Sequence, residues 1–151
     1  MIKISAVTHW GVPVNDLDEA ERFYTEIMGF TALGRLPNGH MSCFEVCGQE
    51  IVLFLRKQPL VRTPEQDGLL HPLAFELDAA EWEKAARLIH ERGIPLALPV
   101  QYRTGSHYAG RELYILDPSG NMIELRDASW TAAQPRLSFE ELVGAAAPAG
   151  A

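Results

Sequence analysis

The segment 8–21, THWGVPVNDLDEAE, changes character at its midpoint. Up to residue 14 apolar residues alternate along the chain, which predicts a β-strand over 4–14. Asn15 or Asp16 then fits a helix N-cap, and the acidic residues that follow would meet the positive end of a helix dipole. The segment therefore predicts a strand that leads directly into a helix.

The sequence beyond this helix start predicts three further strands. Gly29 fits the left-handed residue that ends a helix. The apolar stripe of the helix would be formed by Leu17, Ala20, Tyr24 and Ile27. Strands are expected over 30–36, 41–46 and 50–56, separated by turn residues at Pro37-Asn38-Gly39 and Gly48. Residues 4–56 thus form one β-α-β-β-β module.

A second module with the same plan follows a polar linker at 57–70. His71 lies seven residues before Asp78, just as His9 lies seven residues before Asp16, and Asp78 is expected to cap a second helix. The helix would bury Trp82, Ala85, Ala86 and Ile89 and end at Gly93. Its strands are expected over 71–77, 94–102, 112–116 and 122–126. The sequence predicts an α+β fold of two tandem modules, 4–56 and 71–126, within a single domain 1–151 that ends in a tail 127–151.

Composition excludes several classes of protein. The chain has 151 residues and a formal net charge of -7, with no run of lysine and arginine, so nucleic acid is not an expected partner. No apolar stretch approaches the roughly 20 residues of a membrane-spanning helix. No secretory signal precedes the first strand, and Cys43 and Cys47 are expected to be free thiols, which together favour a cytoplasmic protein.

His9, His71 and Glu124 are candidate ligands of a divalent metal. The matched spacing would place the two histidines at equivalent points of the two modules. Glu124 lies four residues after Gly120 in an otherwise apolar strand, where an unpaired carboxylate would be costly to bury. Two imidazoles and one carboxylate suit Fe, Mn, Zn or Ni and leave coordination positions open.

Other roles for the same side chains are compatible with the sequence. A histidine in a strand is often a hydrogen-bonded structural residue, and Glu124 could form a salt bridge with Arg126 or Arg111. The position in the first module that matches Glu124 is Val52, and neither it nor Leu53 can bind a metal. Three protein ligands are therefore expected rather than four.

The chain resembles the vicinal oxygen chelate superfamily over about residues 4–127. The resemblance rests on the motifs THW at 8–10, DLDEAERFY at 16–24, MGF at 28–30 and DPSGNMIEL at 117–125. It implies paired modules that form a pseudo-symmetric, open, barrel-like mixed sheet around a metal cleft. It also implies that one divalent ion is bound by His9, His71 and Glu124, and that the protein is a homodimer acting on a small molecule.

The superfamily resemblance leaves three functions open. The first is an extradiol-dioxygenase-like enzyme, in which Tyr114, ten residues before Glu124, and His107 would handle protons. The second is a glyoxalase-like or fosfomycin-resistance-like lyase or thiol transferase, for which Arg103 could help bind an anionic group. The third is a metal-free binding protein for small molecules or drugs. Its cleft would be lined by the aromatic residues Trp10, Phe44, Phe54, Tyr102 and Tyr108.

Overall fold

The structure, a computed structural model, describes residues 1–59, 72–105 and 107–144. Its elements in chain order are β1 His9–Val14, α1 Leu17–Glu26, β2 Thr31–Arg35, β3 Met41–Val46, β4 Gln49–Leu55, β5 Leu73–Glu76, α2 Ala79–Glu91, β6 Leu96–Arg103, β7 Gly110–Leu116, β8 Met122–Asp127 and α3 Phe139–Gly144. They form two four-stranded mixed sheets in two compact units. The α+β class and the strand, helix, three-strand order of each half are confirmed.

The first unit contains α1 and a sheet in the order β1-β4-β3-β2. β1 pairs with β4 in parallel, and the other pairs are antiparallel. Val12 pairs with Leu53, and both are buried on the face covered by α1. Since successive side chains of a strand point to opposite faces, His9, Gly11 and Val52 lie on the face opposite α1.

Both helices begin and end where the sequence predicts. Asp16 caps α1 by accepting a hydrogen bond from the Glu19 N–H at 2.9 Å, and Asp78 caps α2 in the same way through the Glu81 N–H at 2.9 Å. Gly29 and Gly93 follow the helices with φ of 69° and 65°, the left-handed conformation that glycine adopts at little cost. In α1, Phe23 is buried instead of Ile27, because Ile27 is the C-cap.

The turn Asp117–Asn121 belongs to the first unit and is organised by one buried carboxylate. Asp117 accepts hydrogen bonds from the Tyr24 hydroxyl at 2.9 Å and from the backbone N–H groups of Ser119 at 2.9 Å and Asn121 at 2.8 Å. The Asn121 amide also donates to Asp117 at 2.8 Å and to the Pro13 carbonyl at 2.9 Å. Four donors therefore converge on Asp117.

The second unit contains α2, α3 and a sheet in the order β5-β8-β7-β6. On the α2 face, the Trp82 indole N–H donates to the Leu125 carbonyl at 3.0 Å. The guanidinium of Arg111 lies 4.2 Å from the Trp82 ring centroid and is paired with Asp127 at 2.8 Å. Successive side chains of a strand point to opposite faces of the sheet. Because Arg111 and Leu125 are on the α2 side, Tyr114 and Glu124 lie on the face opposite α2.

Strand β1 begins at His9 rather than at residue 4. An alternating sequence forms a strand only where a neighbour supplies hydrogen bonds, and the pairing with β4 reaches back only to His9 and Glu50. Ile2 and Ile4, which continue the alternation, are exposed. Within the described residues, no helix has the length and apolar character needed to span a membrane.

Candidate active site

A cavity of about 500 Å³ lies in the second unit, on the sheet face opposite α2. β5, β7 and β8 supply most of its wall, and the end of β6 and the segment after it supply the rest. It is lined by Pro72, Ala74, Phe75, Glu76, Arg103, Tyr108, Glu112, Tyr114, Glu124 and Arg126. Four of the residues predicted from sequence for a site thus meet here, namely Arg103, Tyr108, Tyr114 and Glu124.

Glu124 is a buried carboxylate on the central strand β8, paired with Ala74 on one side and Tyr114 on the other. Burial and the nearby charge of Glu112 raise its pKa above the ordinary value, while a hydrogen bond with Tyr114 and two arginines act in the opposite direction. Arg111 lies on the other face with Asp127, so it does not pair with Glu124. A nearby cation would therefore favour the charged form of Glu124.

The Tyr114 hydroxyl is held in place by a second buried carboxylate. It donates to Glu112 Oε2 at 2.9 Å, and the Arg103 Nε donates to the same oxygen at 2.7 Å. Glu112 is only 1% exposed. Burial raises the pKa of Tyr114 well above its usual value, the hydrogen bond from Arg103 opposes this, and Glu112 adds to it. Tyr114 therefore stays protonated at neutral pH.

Arg126 forms the rim of the same cavity. Its Nη2 donates to the carbonyl oxygens of Ala109 at 2.7 Å and His107 at 3.3 Å, and its Nη1 lies 3.7 Å from a carboxylate oxygen of Glu76. The Tyr108 ring centroid lies 5.9 Å from the guanidinium carbon. These bonds fix the segment between β6 and β7 against β8.

His9 is the first residue of β1 in the first unit, exposed, with its Nδ1 3.1 Å from the Thr8 hydroxyl. His71 lies outside the described residues. In the described part of the chain, no three side chains of the His, Cys, Asp and Glu types are grouped closely enough to hold a metal. By donor chemistry, an imidazole and a carboxylate are each suitable ligands for a divalent ion of the predicted type, and the ligand set stays a prediction.

The two modules can be aligned either by their helix caps or by the pairing of their strands, and the two alignments differ by one residue. Gly11 pairs with Val52 in the first sheet, and Ala74 pairs with Glu124 in the second. Two residues before Gly11 is His9, but two residues before Ala74 is Pro72, which lines the cavity. The second module has one residue fewer than the first between the matched strand position and the helix cap. Because His71 lies outside the described residues, its equivalence with His9 stays a prediction.

Two of the aromatic residues expected to line a cleft lie elsewhere. Phe44 is fully buried under α1, with its ring centroid 6.3 Å from that of Tyr24, so it is a core residue. Tyr102 lies on the α2 side of its sheet, where its hydroxyl donates to the Leu137 carbonyl at 2.7 Å and its ring lies 4.8 Å from that of Trp130. For both residues the cleft assignment is wrong, because the strand alternation directs them to the helix-covered face.

The other predicted site residues are at the surface. Trp10 and Phe54 are exposed in the first unit. Phe54 lies beside Gly11, where a Cβ atom would be only 3.0 Å from the Phe54 ring. His107 is exposed in the second unit, and its side chain does not line the cavity. Its backbone carbonyl accepts a hydrogen bond from Arg126, which does line the cavity. Their roles stay predictions.

Sequence reasoning missed Glu112 and Arg126. The signal was present in the alternation of the last two strands: Glu112 and Tyr114 share one face of β7, and Glu124 and Arg126 share one face of β8. The antiparallel register pairs Glu112 with Arg126 and Tyr114 with Glu124. Four polar side chains in neighbouring positions on one sheet face indicate a functional surface, because such groups are otherwise costly to bury.

Comparison with known proteins gives the family. A family model described as the Glyoxalase/Bleomycin resistance protein/Dioxygenase superfamily matches residues 6–125. Catechol-2,3-dioxygenase from Bacillus subtilis (strain 168) is 28% identical over 131 residues, which are 83% of this chain and 43% of that protein. The chain therefore spans less than half the length of this curated relative.

Solved structures share the fold. A glyoxalase/dioxygenase from Nostoc punctiforme is 27% identical, with a TM-score of 0.66 over 84% of this chain and 97% of that one. The fosfomycin resistance protein FosX from Listeria monocytogenes, complexed with Mn(II) and 1S,2S-dihydroxypropylphosphonic acid, is 19% identical, with a TM-score of 0.66 over 84% of this chain and 95% of that one. With a match over most of its length and a shared fold, the chain belongs to the glyoxalase/bleomycin resistance protein/dioxygenase superfamily.

Proposed function

We propose that this chain is a divalent-metal-dependent enzyme that binds two adjacent oxygen atoms of a small substrate, with extradiol-dioxygenase-like activity. The observation that carries the proposal is the pairing of Tyr114 with Glu124 across β7 and β8 in a cavity of about 500 Å³. The likeness to a catechol-2,3-dioxygenase, partial as it is, supports the same class of reaction.

The proposed metal ligands are His9, His71 and Glu124. Val52 occupies the position of the first sheet that matches Glu124, which agrees with three protein ligands rather than four. Fe, Mn, Zn or Ni would suit this set. When bound, such an ion acts as a Lewis acid and as a template for the oxygen atoms of the substrate.

Tyr114 and Glu112 would handle and orient protons beside that ion. Tyr114 keeps its proton at neutral pH and donates a hydrogen bond to Glu112, which fixes the direction of its hydroxyl. The phenol oxygen, which also accepts from Arg103, has a remaining lone pair for a substrate. A substrate hydroxyl can donate to that lone pair and be held in one orientation. Arg103 keeps Glu112 in place through its hydrogen bond to the same carboxylate oxygen.

Oxygen consumption tests this function. Protein reconstituted anaerobically with Fe(II) is expected to consume oxygen when catechol is added and to produce the yellow, ring-opened product. The control is the same protein with a hydroquinone, whose two oxygens are not adjacent. Full metal occupancy without oxygen consumption over a panel of substituted catechols would contradict the dioxygenase assignment.

A second function, metal-free binding of a small molecule, is favoured by one observation. If the pairing of β5 with β8 is extended by one residue, Pro72 takes the place that His9 has in the first module, and a proline side chain cannot bind a metal. In that case His9→Ala would leave ligand binding unchanged, and the protein would purify without metal. A homodimer, which the superfamily resemblance implies, and a cytoplasmic location, which the sequence favours, are further proposals.

A further inference from the structure

The cavity of the second unit contains more charge than the proposed reaction uses. Three carboxylates, Glu76, Glu112 and Glu124, and two guanidinium groups, Arg103 and Arg126, line it. Its formal charge is therefore -1 (two positive, three negative), and a divalent ion at Glu124 would change it to +1. A cavity with that charge favours an anionic ligand.

The two arginines are bound in different ways. The charge of Arg103 is matched at close range, since its Nε donates to the buried Glu112 at 2.7 Å. Arg126 uses Nη2 for two carbonyl oxygens, and its Nη1 faces Glu76 at 3.7 Å, which is longer than a hydrogen bond. Glu76 itself is mostly in solvent, with 66% of its side chain exposed. Arg126 therefore keeps donors for a ligand at Nη1, and its charge faces only a distant and exposed carboxylate.

The Nε of Arg126 supports this view. It is buried, and within the described parts of the chain no atom accepts a hydrogen bond from it. Leaving a buried donor of a charged group unpaired is costly, so the arrangement gains from an additional acceptor. A carboxylate matches the fork of a guanidinium and can accept two parallel hydrogen bonds.

We propose that Arg126 makes this cavity selective for substrates that carry a carboxylate group in addition to the oxygens that react. Arg126 follows Glu124 by two residues on the same face of β8, so the carboxylate would be held one strand step, roughly 7 Å, from the proposed metal ligand. This spacing of strand positions is of the same order as the length of a catechol ring with a directly attached carboxyl group. The identity of the ring and the positive charge of the cavity rest on the metal-dependent function proposed above, whereas the donors of Arg126 do not.

The direct test compares two probes that differ only in charge. 3,4-Dihydroxybenzoate and its neutral, similarly shaped analogue 3,4-dihydroxybenzamide are titrated into the full chain by calorimetry, once with Mn(II) and once with a chelator. The acid is expected to bind about tenfold or more tightly than the amide, the usual size of a charge-assisted hydrogen bond. Equal affinities, tighter binding of the amide, or no detectable binding of the acid would overturn the proposal.

Three variants assign the selectivity to Arg126. Arg126→Gln should reduce the ratio of acid to amide affinity to about one, while Lys84→Gln, which removes the same charge from the exposed side of α2, should leave the ratio unchanged. Glu76→Gln removes the carboxylate nearest to Arg126 and should strengthen acid binding by about two- to fivefold. An increase in affinity cannot arise from misfolding, and a decrease in this variant would contradict the proposal.

These outcomes are separate from those of the proposed function. A preference for the acid that survives in the presence of chelator, together with no oxygen consumption, would preserve the anion site and remove the dioxygenase. Oxygen consumption with equal binding of acid and amide would do the reverse.

Discussion

Asp117→Ala should lower the free energy of unfolding by about 3 kcal/mol or more, since each buried donor left without a partner costs about 1–3 kcal/mol. The substitution removes the acceptor for the Tyr24 hydroxyl, for two backbone N–H groups and for the Asn121 amide. Tyr24 is itself fully buried, so no water can replace the lost bond at its hydroxyl without a rearrangement of the core. Chemical denaturation monitored by tryptophan fluorescence measures the change.

A helix cap provides the matched control. Asp78→Ala also removes an aspartate that accepts a backbone hydrogen bond, but at the exposed start of α2, and it should cost only about 1 kcal/mol. The two substitutions delete the same atoms in different surroundings. If both variants lost the same stability, the role given to Asp117 as the centre of the turn would be wrong.

Tyr114→Phe should reduce the rate of oxygen consumption by about 100-fold, the lower range for a residue that handles a proton in the reaction. The ring remains, so the packing on the sheet is kept, but the hydroxyl that Glu112 orients is lost. Because the proposed metal ligand Glu124 is unchanged, the variant should still bind metal. Steady-state kinetics should show the loss mainly in kcat rather than in KM.

Tyr102→Phe is the control for this change. It removes the same hydroxyl from the same sheet, but on the face covered by α2, where the hydroxyl bonds to Leu137. Its kcat should equal that of the parent, with at most a modest loss of stability. Equal losses of kcat in the two variants would mean that the effect spreads through the sheet and does not arise at the cavity.

The helices and their ends were predictable because they depend on local sequence. Asp16, Asp78, Gly29 and Gly93 each act within a few residues of their own position, and each has the role that its residue type predicts. The turn at 117–121 was predictable for the same reason, although its bond to Tyr24 joins residues far apart in sequence. Rules based on local sequence do not predict such long-range partners.

The faces of the strands were predicted less well. Alternation tells which residues share a face, but not which face a helix covers, so Phe44 and Tyr102 were expected in a cleft and lie under helices. Counting from the helix caps aligns Gly11 with Leu73, whereas the strand pairing matches Gly11 with Ala74. A shift of one residue reverses the direction of a side chain, and only the pairing of strands fixes it.

Measuring the metal content of the protein tests the proposal that a divalent ion is bound by His9, His71 and Glu124. Protein purified without chelators, and protein reconstituted with Fe, Mn, Zn or Ni, would be analysed by mass spectrometry beside His9→Ala, His71→Ala and Glu124→Ala, with the exposed His40→Ala as control. About one ion per chain is expected in the parent and the control, and loss of the ion is expected in all three site variants. No binding in the parent after reconstitution, or full retention in the three variants, would contradict it and favour the metal-free binding protein.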